Sequence, residues 1–338
     1  MKKITLSGLT PGEISGLIEP EGFNLKHALI ISNSIYKKKA AGFADIQSLP
    51  FKLRNFLDAA ADAGIYKPVQ SEVSSDKSVK YLFRNHKGLL FETVYIPENK
   101  RNTVCVSSQS GCRMGCPLCV TGKYGFHGNL SAGDIVNQVL SLPQADKVTH
   151  VVFMGMGEPL DNLNNVLKAC ETFTSQWGLS LSRRNITVST VGITPGIKEF
   201  LSRTSCNLTL SLYSPFAAER LELVPLEQKY PLRDLIDLMK TFPLQKKRRM
   251  SIAYVMIRDL NDADRHLGEL MKLLKGSGIR VNLLPFHPVN EVSYRSSTDK
   301  RMLFFKHNLI VAGISASIRK SRGTDISAAC GLLASNLI

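Results

Sequence analysis

The sequence predicts an α/β fold: a partial, open β/α barrel, preceded by a small helical unit and a short β-hairpin connector. Three observations predict it. From residue 103 onward, β-rich and helix-periodic segments alternate, as in a parallel sheet covered by crossover helices. In the first ~80 residues, apolar side chains recur at helical spacing between turn signals. Between these regions, Val79 to Pro97 has strand character. The 338 residues thus divide into a helical accessory unit at 1–78, a hairpin at 79–100 and the barrel with its C-terminal segment at 101–338.

In the first unit, helices are expected from about Leu25 to Lys39 and from about Leu53 to Ala63, with Pro50 at the boundary between them. Tyr36-Lys37-Lys38-Lys39 places cations at the carbonyl end of a helix, where the dipole favours them; the same lysines suit a phosphate. The hairpin is Tyr81-Leu82-Phe83 and Phe91–Ile96 around His86-Lys87-Gly88. Barrel strands are expected at Thr103–Ser107, His150–Met154, Asn185–Thr190, Asn207–Leu212, Met250–Met256, Ile279–Leu284 and Ile314–Ile318. Helices between them are expected at Ala132–Leu142, Asn162–Phe173, Leu232–Lys240, Asp262–Leu274 and Asp299–Val311. In such a fold the working loops sit at the C-terminal strand ends.

Lysine and arginine number 43 against 28 acidic residues, a net charge of +15. Such an excess favours a polyanion, because basic side chains displace counterions from phosphates. Lys246-Lys247-Arg248-Arg249, Arg183-Arg184 and Arg319-Lys320-Ser321-Arg322 are either phosphate contacts or solvated basic turns. No run of 18 apolar residues spans a bilayer, and the N-terminus has no apolar signal core. Seven cysteines, three of them clustered, fit a reducing cytoplasm better than a secreted disulfide framework.

Those three cysteines lie in Cys112-Arg113-Met114-Gly115-Cys116-Pro117-Leu118-Cys119. One short loop can turn all three toward an iron–sulfur cube, leaving the fourth iron open for a cofactor. A structural zinc site wants four closed ligands, and no second close pair follows. Further on, Phe153-Met154-Gly155-Met156-Gly157-Glu158-Pro159-Leu160 leaves a strand on two glycines followed by a carboxylate. This is either an ordinary strand-to-helix turn or a cofactor loop whose glycines admit a ligand and whose acid meets an amino group. Cys170 and Cys206 read as buried apolar residues.

Taken together, C-x3-C-x2-C and the following Gly-Glu resemble the radical S-adenosylmethionine superfamily. Val106-Ser107-Ser108-Gln109, Gly111, the GMGEPL run, Ser189-Thr190-Val191-Gly192, Ser211-Leu212 and Ser321-Arg322-Gly323-Thr324-Asp325-Ile326-Ser327-Ala328-Ala329-Cys330-Gly331 resemble its RlmN/Cfr family, over about Phe23 to Leu333. The resemblance implies a radical enzyme that methylates an adenine ring carbon of RNA. Cys112, Cys116 and Cys119 would hold a [4Fe-4S] cluster. Gly157, Glu158, Ser189, Ser211, Leu212, Tyr213 and His287 would line S-adenosyl-L-methionine. Cys330 would be methylated first and carry the one-carbon unit to the base. Cys105 would release the product by forming a disulfide with Cys330, and Glu92 would accept the proton. Tyr213 stands where the family usually has histidine, and His287 where it usually has asparagine.

The resemblance implies C2 methylation of 23S ribosomal RNA, with transfer RNA as a second target. It also implies a reductant such as flavodoxin or ferredoxin. A monomer without membrane attachment is expected. The other readings are a C8 methylase that confers ribosomal antibiotic resistance, a radical enzyme on a peptide or small molecule, and a non-catalytic iron–sulfur RNA-binding protein. Binding alone would need neither Cys105 nor Cys330.

Overall fold

The computed structural model describes residues 3–242, 248–288, 293–335 and 337. The chain opens with β1 (Ile4–Thr5), α1 (Pro11–Ile18), α2 (Leu25–Tyr36), α3 (Phe51–Ala60) and β2 (Ala61–Asp62). Next come β3 (Gln70–Val73), β4 (Val79–Arg84), β5 (Leu90–Ile96), β6 (Thr103–Val106) and β7 (Gln109–Gly111). The alternating part follows with α4 (Val120–Tyr124), β8 (Phe126–Asn129), α5 (Ala132–Leu140), β9 (His150–Phe153), α6 (Leu163–Thr174), β10 (Ile186–Thr190) and α7 (Thr194–Arg203). It ends with β11 (Asn207–Ser211), α8 (Ala217–Leu223), α9 (Leu232–Thr241), β12 (Met250–Met256), α10 (Asp264–Leu274), β13 (Arg280–Pro285), α11 (Asp299–Val311) and β14 (Ala316–Ile318).

Each strand expected from the alternation is present. Among the described residues they lie in one sheet of ten strands, ordered β14-β13-β12-β11-β10-β9-β6-β5-β4-β3. From β6 to β14 neighbouring strands run parallel. The expected hairpin is β4 and β5, and it joins the sheet directly: β5 pairs antiparallel with β6, and β3 adds a further edge strand. The sheet is therefore mixed, and it stays open.

Two boundaries in the first unit differ from expectation. Helix α3 stops at Ala60, short of Ala63, because Ala61 and Asp62 pair with β1. Helix α2 stops at Tyr36, so the lysine run lies past it; Lys39 turns left-handed at φ 57° and pairs with Asp146 at 2.6 Å. Helix α1, too short to read from periodicity, is set by a capping box. The Glu13 N–H donates to Thr10 Oγ1, and Glu13 Oε2 accepts from the Thr10 N–H at 2.9 Å. This unit is fastened to the barrel: the Tyr66 hydroxyl donates to Asp134 at 2.7 Å, and Asn137 bonds both the N–H and the carbonyl of Tyr66.

The two faces of the parallel sheet differ sharply. Val151, Phe153, Ile186, Val188, Leu208, Leu210, Ile252, Tyr254 and Leu283 point toward the helices and are almost wholly buried. Burying each such side chain stabilises the fold by about 1.5–3 kcal/mol. The alternate residues Val152, Thr187, Ser189, Ser211, Ser251, Ala253 and Asn282 are small or polar and only half-buried. A closed barrel fills its interior with bulky branched side chains. Here the concave face is lined with small ones, which leaves room for ligands.

Candidate active site

The three clustered cysteines sit on an excursion between β6 and α5. Its neck is the antiparallel pair β7–β8, fastened by a bond from Gln109 Nε2 to Asn129 Oδ1 at 2.8 Å. The Cys112 N–H donates to the Gly125 carbonyl at 2.9 Å. Cys116 is buried, whereas Cys112 and Cys119 are half-buried. Leu118, Val224, Ile257 and Phe286 pack around Cys116 and Cys119, together with Tyr213.

This donor set fits an iron–sulfur cluster. Burial pushes the Cys112 thiol up to about 12, assisted by the charge of Cys119 and relieved in part by the Met114 N–H. Burial pushes Cys116 still higher, with Cys119 and Cys112 adding to it. Thiolates in such surroundings need a cationic centre to balance them. Three thiols from one short loop that influence one another's ionisation suit a polynuclear cluster with an open iron better than a zinc site, which wants four ligands.

The glycines after β9 turn out to accommodate the chain itself. A Cβ at Gly155 would lie 2.7 Å from Ser107 Oγ, and one at Gly157, where φ is +93°, 2.5 Å from Gln109 Cβ. Glu158 is buried, and its two carboxylate oxygens accept from the N–H groups of Leu160 and Val191, both at 2.9 Å. It braces the loop after β9 against the loop after β10. Burial raises its carboxyl to about 7 against the pull of those two N–H groups.

The remaining residues expected at the cofactor surround the same concave face. Ser189 and Ser211 point into it from β10 and β11, with their hydroxyls 3.4 Å apart. Leu212 buries its side chain in the main core, so it offers backbone alone. Tyr213 adopts φ 63°, rare for a bulky residue, and its carbonyl accepts from Asn261 Nδ2 at 2.6 Å. His287 lies after β13, with Nε2 3.1 Å from the Ser321 hydroxyl at the start of the C-terminal segment.

Cys105 and Cys330 are brought near each other from distant parts of the chain, and Glu92 bonds the C-terminal segment that carries Cys330. Cys105 is buried in β6, opposite Val94 of β5. Burial holds its thiol protonated, and the nearby Cys330 charge adds to the effect. Cys330 is exposed to solvent. Its segment is docked by the Val120 N–H on the Gly331 carbonyl at 2.9 Å and by the Thr121 hydroxyl on the Leu333 carbonyl at 3.0 Å. Glu92 is 2% exposed, and its Oε2 accepts from the Ala334 N–H at 2.8 Å.

Sequence reasoning missed the residues that hold this frame. Arg220 is fully buried in α8 and paired with Glu227. Its remaining N–H groups donate to the carbonyls of Val191 at 2.5 Å and Leu212 at 3.1 Å, at the ends of neighbouring strands. Asn162 Nδ2 donates to the carbonyls of Ser108 at 2.8 Å and Leu130 at 2.7 Å, spanning the cysteine loop. No spacing rule marks such residues, because their partners are distant in sequence. Of the basic run before β12, Lys246 and Lys247 lie outside the described residues. Arg248 is buried and donates to the Leu201 carbonyl at 2.8 Å, which removes it from any phosphate surface.

Known proteins share this arrangement. The profile of the Radical SAM superfamily matches residues 106–274. A probable dual-specificity RNA methyltransferase RlmN of Parabacteroides distasonis is 42% identical, over 98% of this chain and 96% of that protein. The dual-specificity RNA methyltransferase RlmN of Geobacter sulfurreducens is 37% identical, over 99% of this chain and 93% of that protein. The crystal structure of a radical SAM methyltransferase from Sphaerobacter thermophilus superposes with a TM-score of 0.91 at 34% identity, covering 98% of this chain and 99% of that one.

Proposed function

We propose, from the premise that this chain belongs to the RlmN family of the radical SAM superfamily, that it methylates an adenine ring carbon of RNA. The favoured position is C2 of an adenine in 23S ribosomal RNA, with transfer RNA as a second substrate. The superfamily's cofactors are a [4Fe-4S] cluster and S-adenosyl-L-methionine, which together supply the carbon radical that an unreactive ring C–H requires.

Cys112, Cys116 and Cys119 would hold the cluster. Gly157, Glu158, Ser189, Ser211, Leu212, Tyr213 and His287 would border S-adenosyl-L-methionine, with Glu158 keeping the two loops in register. Cys330 carries the one-carbon unit as a thioether at the mouth of the cleft. Glu92 accepts the proton given up by the ring. The Cys105 thiol gives up its proton as its sulfur attacks the Cys330 sulfur; the sulfur–carbon bond breaks with its electron pair going to the methylene carbon, which takes up a proton to become the methyl group, and a disulfide remains for an external reductant to open. A small acidic electron carrier such as flavodoxin or ferredoxin suits the basic cleft of about 510 Å³ beside the cysteine loop, which Arg113, Met114 and Lys229 line. Residues 1–78 would help grip folded RNA, and the target base must leave its stack to reach the cleft. We place the enzyme in the cytoplasm as a monomer; among the described residues no helix is long and apolar enough to cross a membrane.

The observation that carries this reading is the approach of Cys330 to Cys105 beside the cysteine loop, with Glu92 bonded to the same C-terminal segment. Mass spectrometry of RNA from a deletion strain tests it. Loss of 2-methyladenosine is expected. Unchanged 2-methyladenosine overturns the C2 assignment, and loss of 8-methyladenosine in its place moves the reaction to C8.

A further inference from the structure

A proton accepted by Glu92 has no direct way out, because that side chain is 2% exposed. Its Oε2 is occupied by the Ala334 N–H at 2.8 Å. Its Oε1 faces Lys80 Nζ at 3.5 Å. Lys80 is itself buried on β4, and its Nζ lies 3.3 Å from Glu72 Oε2 on β3. Strand register produces this row. Lys80 sits directly opposite Glu72 across β3–β4, and Glu92 is diagonal to Lys80 across β4–β5.

Two further observations give the row a purpose. Among the described residues the Lys80 ammonium makes no well-aligned hydrogen bond, although both carboxylates are at ion-pair distance. A buried ammonium with three donors is costly to leave in that state. Beside it is a cavity of about 30 Å³, lined by Gln70, Ser71, Glu72, Lys80, Leu82 and Glu92. A water needs about 10–15 Å³ of such space and two or more polar partners, and here it would touch both carboxylates and the ammonium. The Glu72 side chain is 29% exposed, so the row runs from a sealed carboxylate to solvent.

We propose that Glu72, Lys80 and a water seated between them form the proton exit of Glu92, which rests on the assignment of Glu92 as the proton acceptor. The O–H bond on Glu92 breaks as its proton passes to the water. The water gives up a proton to Glu72, which releases it to bulk. No electron moves. Lys80 is a positioning residue: its charge favours the ionised form of Glu92 against the burial that raises that carboxyl, and it orients the water. The charged groups facing Glu92 are Lys80 from β4 and Glu72 from β3. The C-terminal segment contributes the uncharged Ala334 N–H, and β6 and the loop after β9 contribute Ser107 and Met156.

The test uses the full-length reconstituted enzyme with RNA, alongside infrared titration of the cofactor-free chain. Glu72→Gln is expected to lower kcat roughly 10-fold to 100-fold, leave the KM for RNA unchanged and enlarge the solvent deuterium effect. In the infrared, the protonated carboxyl band that Glu92→Gln removes should titrate at higher pH in Lys80→Met and return to the parent position in Lys80→Arg. Parental kcat, pH profile and solvent isotope effect in Glu72→Gln, with turnover still abolished by Glu92→Gln, would overturn the exit and leave Glu92 as the base. Parental turnover in Glu92→Gln would instead remove the base itself. Should Lys80→Met fail to fold, Glu72→Gln decides alone, since its carboxylate is partly exposed.

Discussion

Cys105 and Cys330 face the same cleft from opposite kinds of structure. Cys105 belongs to β6, with sheet partners on both sides in β5 and β9. Cys330 belongs to an irregular segment with left-handed backbone at Gly323, Ser327, Gly331 and Ala334, held by a few separate hydrogen bonds. A strand in mid-sheet cannot move without breaking two ladders, whereas a segment on single bonds can open locally at small cost. One thiol is therefore a fixed point and the other is placed to travel. That asymmetry suits chemistry in which one sulfur carries a group to a base and must afterwards meet a second sulfur.

The largest expected effect separates the two roles. Cys330→Ala should lower methylation roughly 1,000-fold or more, with no covalent protein–RNA species on a denaturing gel. Cys105→Ala should also block turnover yet accumulate that adduct. Adduct from the Cys330 variant, or none from the Cys105 variant, would erase the distinction between carrier and fixed partner.

The next effect falls on the fixed side. Arg220→Met leaves Glu227 buried without its partner and frees the Val191 and Leu212 carbonyls, so it should cost about 3–5 kcal/mol of stability in denaturant unfolding. Amide exchange in the Cys330 segment should change less than in β10 and β11. Equal change in both would mean the segment is as firmly built as the sheet.

A smaller effect falls on the mobile side. Ala334 holds φ 80°, strained for any residue with a Cβ. Ala334→Gly should tighten docking by about 1 kcal/mol, seen as slower exchange of the amide that Glu92 accepts. Faster exchange would show that backbone entropy outweighs the strain.

The smallest effect is acid release of the same segment. Asp76 Oδ2 accepts from the Gly323 N–H at 2.9 Å, and Asp325 accepts from the Ser74 hydroxyl at 2.6 Å and from the Ser75 N–H at 2.9 Å. Slight burial would raise Asp76, but the Gly323 N–H and the Ser78 and Ser74 groups outweigh it and hold the carboxyl at about 2, below the ordinary 3.8. The same Ser74 and Ser75 bonds lower Asp325. A depressed carboxyl contributes stability that is fully present above its unfolded value and lost as pH falls through its folded one. Proteolysis around residue 323 should therefore be slow at pH 6 and quicken between about pH 4 and pH 2. Asp76→Asn should be quicker already at pH 6; no difference there would remove Asp76 from the clasp.

Much of the fold and part of the site were legible without coordinates. The alternation after residue 103 located the barrel strands, because a parallel sheet needs a crossover element between successive strands. The cysteine spacing marked the loop proposed to hold the cluster, because ligands from one loop must lie close in sequence. Boundaries in the first unit were less legible: β1 and β2 are two residues each, and α3 stops where that pairing begins. The glycines after β9 were legible as special positions, but not for what they meet. Gly157 lies against Gln109, a contact no local pattern contains.

What the chain's own order determined was therefore every feature with a short period: strand alternation, helix spacing, the cysteine triplet and the excess of basic charge. Tertiary structure alone decided which polar residues became machinery. Glu92 and Ala334 are 242 positions apart, and the buried row from Glu92 through Lys80 to Glu72 exists only because three strands fall into one register. Local patterns record which side a residue faces. The partner waiting there is chosen by packing, since a buried charge or thiol acts only through neighbours that the folded chain delivers.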